Sequence, residues 1–398
     1  MTKTIPKGWD LVELSTVANN IMYGMNAAAG EYDGVNKYIR ITDIDEKTRR
    51  YVPNPLSTPK GDISITYMVN EGDILFARTG ASTGKSYIYS KSDGKLFFAG
   101  FLIRFHIFAA DPRYIYYQTL LPSYQNWVSS VSIRSGQPGI NAEQYKTLEI
   151  LLPPLPEQEK IVEVLETWDS YFEKLSASIK LKKKVKKGLM QRLFTGKMRL
   201  KSFNEPWKSV KLEEACKINP KSESLPSTFV YIDLESVEKG ILKKERSMKL
   251  ENAPSRAQRL LHKKDILFQM VRPYQKNNLY FNKDSNYVAS TGYAQIRTQN
   301  DPKYLYYILH TDSFVNKVLE KCTGSNYPAI NSTDLSKIKI PLPSIPEQKA
   351  IGQILTTADQ EIEALEKKKA LIEQQKKFLL NNMITGKLRL PEFIKVSN

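Results

Sequence analysis

The sequence predicts an α+β protein. Two similar α/β globular domains are joined and spaced by two long helices that form an antiparallel coiled coil, with an internal pseudo-twofold repeat. Three observations predict it. Blocks of sequence return after a shift of 190 residues. Each copy closes on a stretch of about 39 residues with no proline and one glycine (157–195 and 347–385). Each stretch carries apolar residues spaced alternately by four and three, the seam of a coiled coil.

The repeat comes first. DPRYIYYQ at 111 returns as DPKYLYYI at 301, PGIN at 138 as PAIN at 328, and Pro156-Glu157-Gln158 as Pro346-Glu347-Gln348. Thr195-Gly196-Lys197-Met198-Arg199-Leu200 returns as Thr385-Gly386-Lys387-Leu388-Arg389-Leu390. The openings agree more loosely: Trp9, Val12 and Leu14 answer Trp207, Val210 and Leu212, and GDILF at 72 answers KDILF at 264. A period this long is domain-sized and unlike that of a solenoid. The expected division is 1–153 for the first domain, 154–200 for the first long helix, 201–343 for the second domain and 344–398 for the second helix with its tail.

Within each domain YIRITDI (38–44) and FVYIDL (229–234) alternate as strands do, and the DILF runs add more. The stretches after DPRY and DPKY read as helix. In the first long helix the stripe is Ile161, Leu165, Trp168, Phe172, Leu175, Ile179, Lys182, Lys186, Leu189 and Leu193, with Leu181 and Val185 expected to cover the two lysines. In the second it is Ile351, Leu355, Ala358, Ile362, Leu365, Lys369, Ile372, Lys376, Leu379 and Met383. A lone helix of roughly 58 Å with one apolar stripe needs a partner, and the other copy's helix supplies it. The corners LLPPLPEQEKI and IPLPSIPEQKAI then have a reason. Proline ends the strand and pre-sets the first helical turn, and Glu157 and Glu347 suit the helix dipole there. Gly196 and Gly386 are expected left-handed caps.

Composition narrows the function. The 398 residues carry a net charge of +17, with 41% hydrophobic and 25% charged residues. That balance favours an anionic partner, nucleic acid before a membrane surface. Cys216 and Cys322 lie far apart, which implies a reducing compartment and no disulfide framework. No run suits a signal peptide or a spanning helix, so a cytoplasmic protein is expected. Gly80 to Ser86 imitates a phosphate-binding loop, but the Walker spacing is short by one residue and Thr79 holds the first glycine's place. His106, His262 and His310 have no partners at metal-ligand spacing. The Pro-Pro-aromatic motif of adenine methyltransferases is missing. Recognition is favoured over catalysis. A P-loop-like NTPase and a coiled-coil scaffold that reads no DNA are the alternatives.

The duplicated unit, the paired PEQ corners and the TGK endings closely resemble the DNA-specificity subunit of type I restriction-modification systems, over essentially the whole chain. The resemblance implies a non-catalytic subunit whose two target-recognition domains each read half of a split, asymmetric double-stranded DNA site. The helices would bind modification subunits, two of them, and the complex would include restriction subunits. S-adenosylmethionine, ATP and Mg would sit in those partners, with no cofactor on this chain.

The loops after DILF differ between copies, RTGASTGKSY (78–87) against QMVRPYQKNN (269–278), as do SIRSGQPGIN (132–141) and CTGSNYPAIN (322–331). Arg78 and Arg134 are candidates for guanine, and Gln137, Gln269 and Asn326 for adenine. Lys85, Arg104, Arg272 and Lys276 are candidates for phosphate. Tyr274 and Tyr327 would pack on sugar or base, and Thr79 shares the first loop. The lysines from Lys180 to Lys187 read as a solvated face, or as an attractor of the DNA between half-sites or of acidic patches on a modification subunit.

Overall fold

The computed structural model describes residues 5–133, 137–221, 224–284 and 286–394. The chain divides into two compact units, 1–175 with 368–398, and 176–367. Each unit holds one globular lobe and one segment of each long helix.

In the first unit the lobe is built on a four-stranded antiparallel sheet, in the order Ala18–Tyr23, Leu102–Ile107, Asp73–Ala77, Ser86–Ile88. The DILFA strand is buried along its whole length. The second unit repeats the order with Lys217–Ile218, Tyr293–Arg297, Ile266–Gln269 and Leu279–Tyr280. A short antiparallel pair closes each lobe, Asp10–Glu13 with Glu149–Leu152 and Lys208–Lys211 with Lys339–Leu342. The outer sheets differ. The second lobe has a mixed four-stranded sheet, Arg246–Lys249, Thr228–Ile232, Tyr287–Ser290, Ala257–Leu260. The first has two separate pairs, Ala29–Glu31 with Ser57–Pro59 and Lys37–Ile39 with Leu96–Phe98. The strand expected over 38–44 stops at Ile39, because Asp43 accepts from the Arg40 N–H at 2.9 Å and folds the chain into a 3₁₀ turn.

Several repeated motifs prove to be helix caps. Asp111 accepts from the Arg113 N–H at 2.8 Å and Asp301 from the Tyr304 N–H at 2.7 Å, each beside a proline in the first helical turn. The asparagines of PGIN and PAIN do the same: Asn141 accepts from Gln144 N at 2.8 Å and Asn331 from Asp334 N at 2.7 Å.

The long helices run Leu155–Phe194 and Ile345–Ile384, 40 residues each. Each begins two residues before the glutamate, since proline is tolerated in the first turn. Gly196 and Gly386 take left-handed φ values of 70° and 69°, as expected of caps. Within each unit the two helix segments run antiparallel. In the first, Glu157 meets Arg389, Asp169 meets Lys376, and the Lys369 ammonium lies 4.8 Å from the Phe172 ring centroid. In the second, Glu347 meets Arg199, Asp359 meets Lys186 at 2.5 Å and Glu361 meets Lys182 at 2.6 Å.

The apolar stripe is buried where expected at Ile161, Leu165, Leu175, Ile179 and Leu193, and at Ile351, Leu355, Ile362, Ile372 and Met383. One expectation is corrected. Leu181 and Val185 do not cover the lysines; both are exposed. Lys182 and Lys186 stay in the stripe, half-buried, with their stems on it and their ammonium groups on Glu361 and Asp359.

The corner is a lock. Glu157 is 1% exposed and accepts from Trp9 Nε1 at 3.1 Å and from Arg389 Nε and a terminal nitrogen, both at 2.8 Å. Glu347, fully buried, accepts from Trp207 Nε1 at 2.9 Å and from Arg199 at 2.8 and 3.0 Å. The following glutamines tie the corner to the capped helix. Gln158 accepts from Asp111 N at 2.9 Å and donates to Pro153 O at 2.7 Å; Gln348 does so with Asp301 N and Pro343 O. Each PEQ corner is thus completed by the arginine of the other copy's TGK ending.

Candidate nucleic-acid interface

In each lobe the loop leaving the DILF strand is stitched to the loop that precedes the PxIN cap. In the first lobe Thr79 bridges Gly139, Gly80 N–H donates to Pro138 O at 2.9 Å and Ile140 N–H to Arg78 O at 2.9 Å. In the second Val271 bridges Ala329, Arg272 N–H donates to Pro328 O at 2.7 Å and Ile330 N–H to Met270 O at 3.1 Å. The backbone frame is the same and the side chains it displays are not.

The two lobes also correspond in an unusual set of dihedrals. Gly72, Gly80 and Gly84 have φ of 89°, 70° and 83°; their counterparts Lys264, Arg272 and Lys276 have φ of 74°, 54° and 54°. The second lobe therefore holds three Cβ-bearing cationic residues in a left-handed conformation that the first gives to glycine. Each such residue costs roughly 1–2 kcal/mol. Strain of this kind collects at working sites.

The predicted residues separate into displayed and buried groups. Arg78 is half-buried, donates through Nε to Gly100 O at 2.9 Å, and lies 5.1 Å from the Tyr23 ring centroid and 5.8 Å from that of Phe101. Both residues are about half exposed. Thr79 is half-buried, and Gln137 is exposed beside Gly80. Arg134 lies outside the described residues. In the second lobe Tyr274 and Tyr327 are 50% and 62% exposed, Asn326 is exposed, and the Arg272 guanidinium carbon stands 4.2 Å from the Tyr327 ring centroid. Lys276 is bound to Asp312 at 2.5 Å, a contact that holds the Asp312 carboxyl below the usual carboxylate range.

Three expectations are corrected by burial. Lys85 is 5% exposed, donates to Ile44 O at 3.1 Å and pairs with Glu46. Arg104 is 2% exposed and donates to Thr66 O and Met68 O, both at 3.1 Å; burial pulls its guanidinium below the ordinary arginine value. Neither cation faces a surface where phosphate could lie. Gln269, 2% exposed, accepts from Asn277 N at 3.1 Å and donates to Gln275 Oε1 at 2.9 Å. It shapes the loop from within. The phosphate-loop reading of Gly80 to Ser86 falls with Lys85, and the segment leads into the strand Ser86–Ile88 where a Walker loop opens a helix. The exposed rings of Tyr23 and Phe101 were not among the predicted residues. Tyr23 stands 55 residues before Arg78 and Phe101 stands 23 after it, so nothing local in the sequence signals that they flank it.

Comparison with known proteins follows the repeat. The family model for the type I restriction modification DNA specificity domain matches twice, over residues 6–186 and 204–374. The chain is 29% identical over 346 residues to the type I restriction enzyme MjaVIII specificity subunit of Methanocaldococcus jannaschii, covering 81% of this chain and 80% of that one. It is also 29% identical over 407 residues to the putative MjaX specificity subunit of the same organism, at 97% and 95% coverage. The crystal structure of the type I restriction-modification S subunit from M. genitalium shares the fold, with a TM-score of 0.60 and 16% identity over 96% of this chain and 97% of that one.

Proposed function

This chain belongs to the type I restriction-modification DNA specificity family as a DNA-recognition subunit with two recognition domains, and we propose that each lobe reads one half of a bipartite, asymmetric double-stranded target. The observation that carries the reading is the pair of stitched loops: one backbone frame, used twice, with unlike polar and aromatic side chains on display. Base contacts specify and phosphate contacts position. Identical frames with different displays suit two different half-sites.

In this reading Arg78 and Gln137 face DNA from the first lobe, with Tyr23 and Phe101 flanking the arginine. Tyr274, Lys276, Asn326 and Tyr327 face it from the second. The chain is non-catalytic and works in a complex with the other subunits of its system. Two modification subunits and the restriction subunits bring S-adenosylmethionine, ATP and Mg, and no cofactor binds here. Among the described residues no helix is long and apolar enough to cross a membrane, and the complex acts on DNA in the cytoplasm.

The test is a map of methylated adenines in cells carrying the intact system, with and without loop substitutions. Replacing Gln137 and Arg78 should change or abolish only one half of the methylated motif. Replacing Asn326 and Tyr274 should alter only the other. A motif untouched by both sets, or altered in both halves by either, would sink the assignment.

A further inference from the structure

The phosphate role expected of Arg272 does not fit its setting. A phosphate-binding cation needs only charge and reach, and a flexible lysine on an unstrained loop supplies both. Arg272 is instead fixed three times. Its backbone sits at φ 54° and ψ 54°, where the first lobe has Gly80. Its N–H is tied to Pro328 O at 2.7 Å. Its guanidinium lies over the Tyr327 ring at 4.2 Å, and that ring is 62% exposed. Among the described residues the guanidinium has no hydrogen-bond or ion-pair partner, whereas neighbouring Lys276 is bound to Asp312. A planar fork, held in one orientation on an open aromatic face with its donors uncommitted, is the arrangement that matches two adjacent acceptors on a base edge.

We propose that Arg272, stacked on Tyr327, reads a guanine in the half-site of the second lobe through the paired N7 and O6 acceptors of the major groove. The inference rests on the lobe being a DNA reader and adds which base and which side chain. Tyr327 is the positioning residue. It keeps the fork flat and limits the rotamers that binding must freeze. The left-handed backbone aims the side chain, so the strain absent from Gly80 is retained here.

The experiment uses the full chain assembled with its modification partners. It measures binding to its mapped target with each guanine replaced in turn by 7-deazaguanine, which lacks the N7 acceptor. The unmodified protein should lose roughly five- to hundred-fold at one guanine of one half-site. Arg272→Met, which has no donor, should bind the unmodified target more weakly by a similar factor and show no further loss with 7-deazaguanine there, while its discrimination in the other half-site is unchanged. Tyr327→Ala should blunt the same position and Tyr327→Phe should preserve it. An Arg272→Met protein that keeps the full 7-deazaguanine penalty, or loses affinity evenly for all sequences, overturns the proposal. Failure of the unmodified complex to discriminate any sequence overturns the reading of both lobes as well.

Discussion

Arg389→Ala tests the lock at the first corner. The substitution removes two charge-assisted hydrogen bonds of 2.8 Å from Glu157, which is 1% exposed and, among the described residues, is left with the Trp9 bond as its side-chain partner. Bonds to charged groups contribute about 1.5–3 kcal/mol each. Stripping one partner from a buried pair costs about 3–5 kcal/mol, because the remaining charge cannot reach water. The two routes agree on roughly 3–5 kcal/mol, a large part of a typical domain's stability. Arg389 also donates to Lys7 O at 2.9 Å, so the N-terminal segment loosens with it.

A chain of two units need not unfold in one step, so the readout is native-state hydrogen exchange resolved by peptide. Segments 155–165 and 382–390 should exchange roughly a hundred- to thousand-fold faster in Arg389→Ala. Adding Glu157→Gln removes the stranded charge, so the double variant should recover about 1 kcal/mol or more over Arg389→Ala alone. Acceleration under tenfold, or strict additivity of the two substitutions, would refute the lock.

Three further outcomes follow from particular contacts. Gly24→Ala places a Cβ 2.3 Å from Ala99 O and 2.5 Å from Phe98 O, both backbone, and should destabilise the first lobe by about 3 kcal/mol or more, read from its denaturation midpoint. Lys264→Gly relieves a φ of 74° and should raise stability by about 0.5–1 kcal/mol after the entropy of glycine is subtracted; Gly72→Lys should lower it, since its Cβ would meet His106 at 3.1 Å. Burial pushes the His310 imidazole, which bonds Tyr306 O at 2.7 Å, down to about 4, with Lys186 and Lys276 adding to the shift. The folded state thus favours neutral His310. Its contribution is full above the unfolded value near 6.5 and is lost as pH falls toward 4. Thermal midpoints of His310→Gln should be flatter across that window than those of the native chain.

The repeat, the helices, their caps and their approximate ends were legible because they rest on local rules: period, proline, glycine and asparagine at fixed offsets. The lock was half legible. Glu157 and Arg389 stand in motifs that announce themselves, but 232 residues separate them and nothing local says they meet. The display loops were legible as places of difference. Their individual side chains were not. Arg104 lies in a strand buried on both faces, LIRFHI, where alternation carries no information about which way a cation points. Lys85 looked like a loop cation, yet a carbonyl and a carboxylate drew it inside. Arg272 and Lys276 gave no sign of left-handed backbone, since the usual marker of that conformation is glycine, which only the first lobe has at the matching positions.

The lysine run at 180–187 is largely matched by carboxylates. Lys182 meets Glu361 and Lys183 meets Glu366, both at 2.6 Å; Lys186 meets Asp359 at 2.5 Å and Lys187 meets Asp312 at 3.5 Å. The pairs on Lys182 and Lys183 are largely exposed and weak, about 0–1 kcal/mol each, so phosphate could compete for the lysines. Competition would not help DNA, however. Every lysine released leaves a bare carboxylate on the same face, and the charge facing the duplex is unchanged. These four pairs therefore add no net positive charge toward DNA. Lys182→Gln with Lys183→Gln should leave the slope of log affinity against log salt as it was in the assembled complex. Each true phosphate contact removed shifts that slope by about 0.9. A shift of nearly two in this double variant would mean that the carboxylates turn away when DNA arrives, and that the helix face belongs to the binding path.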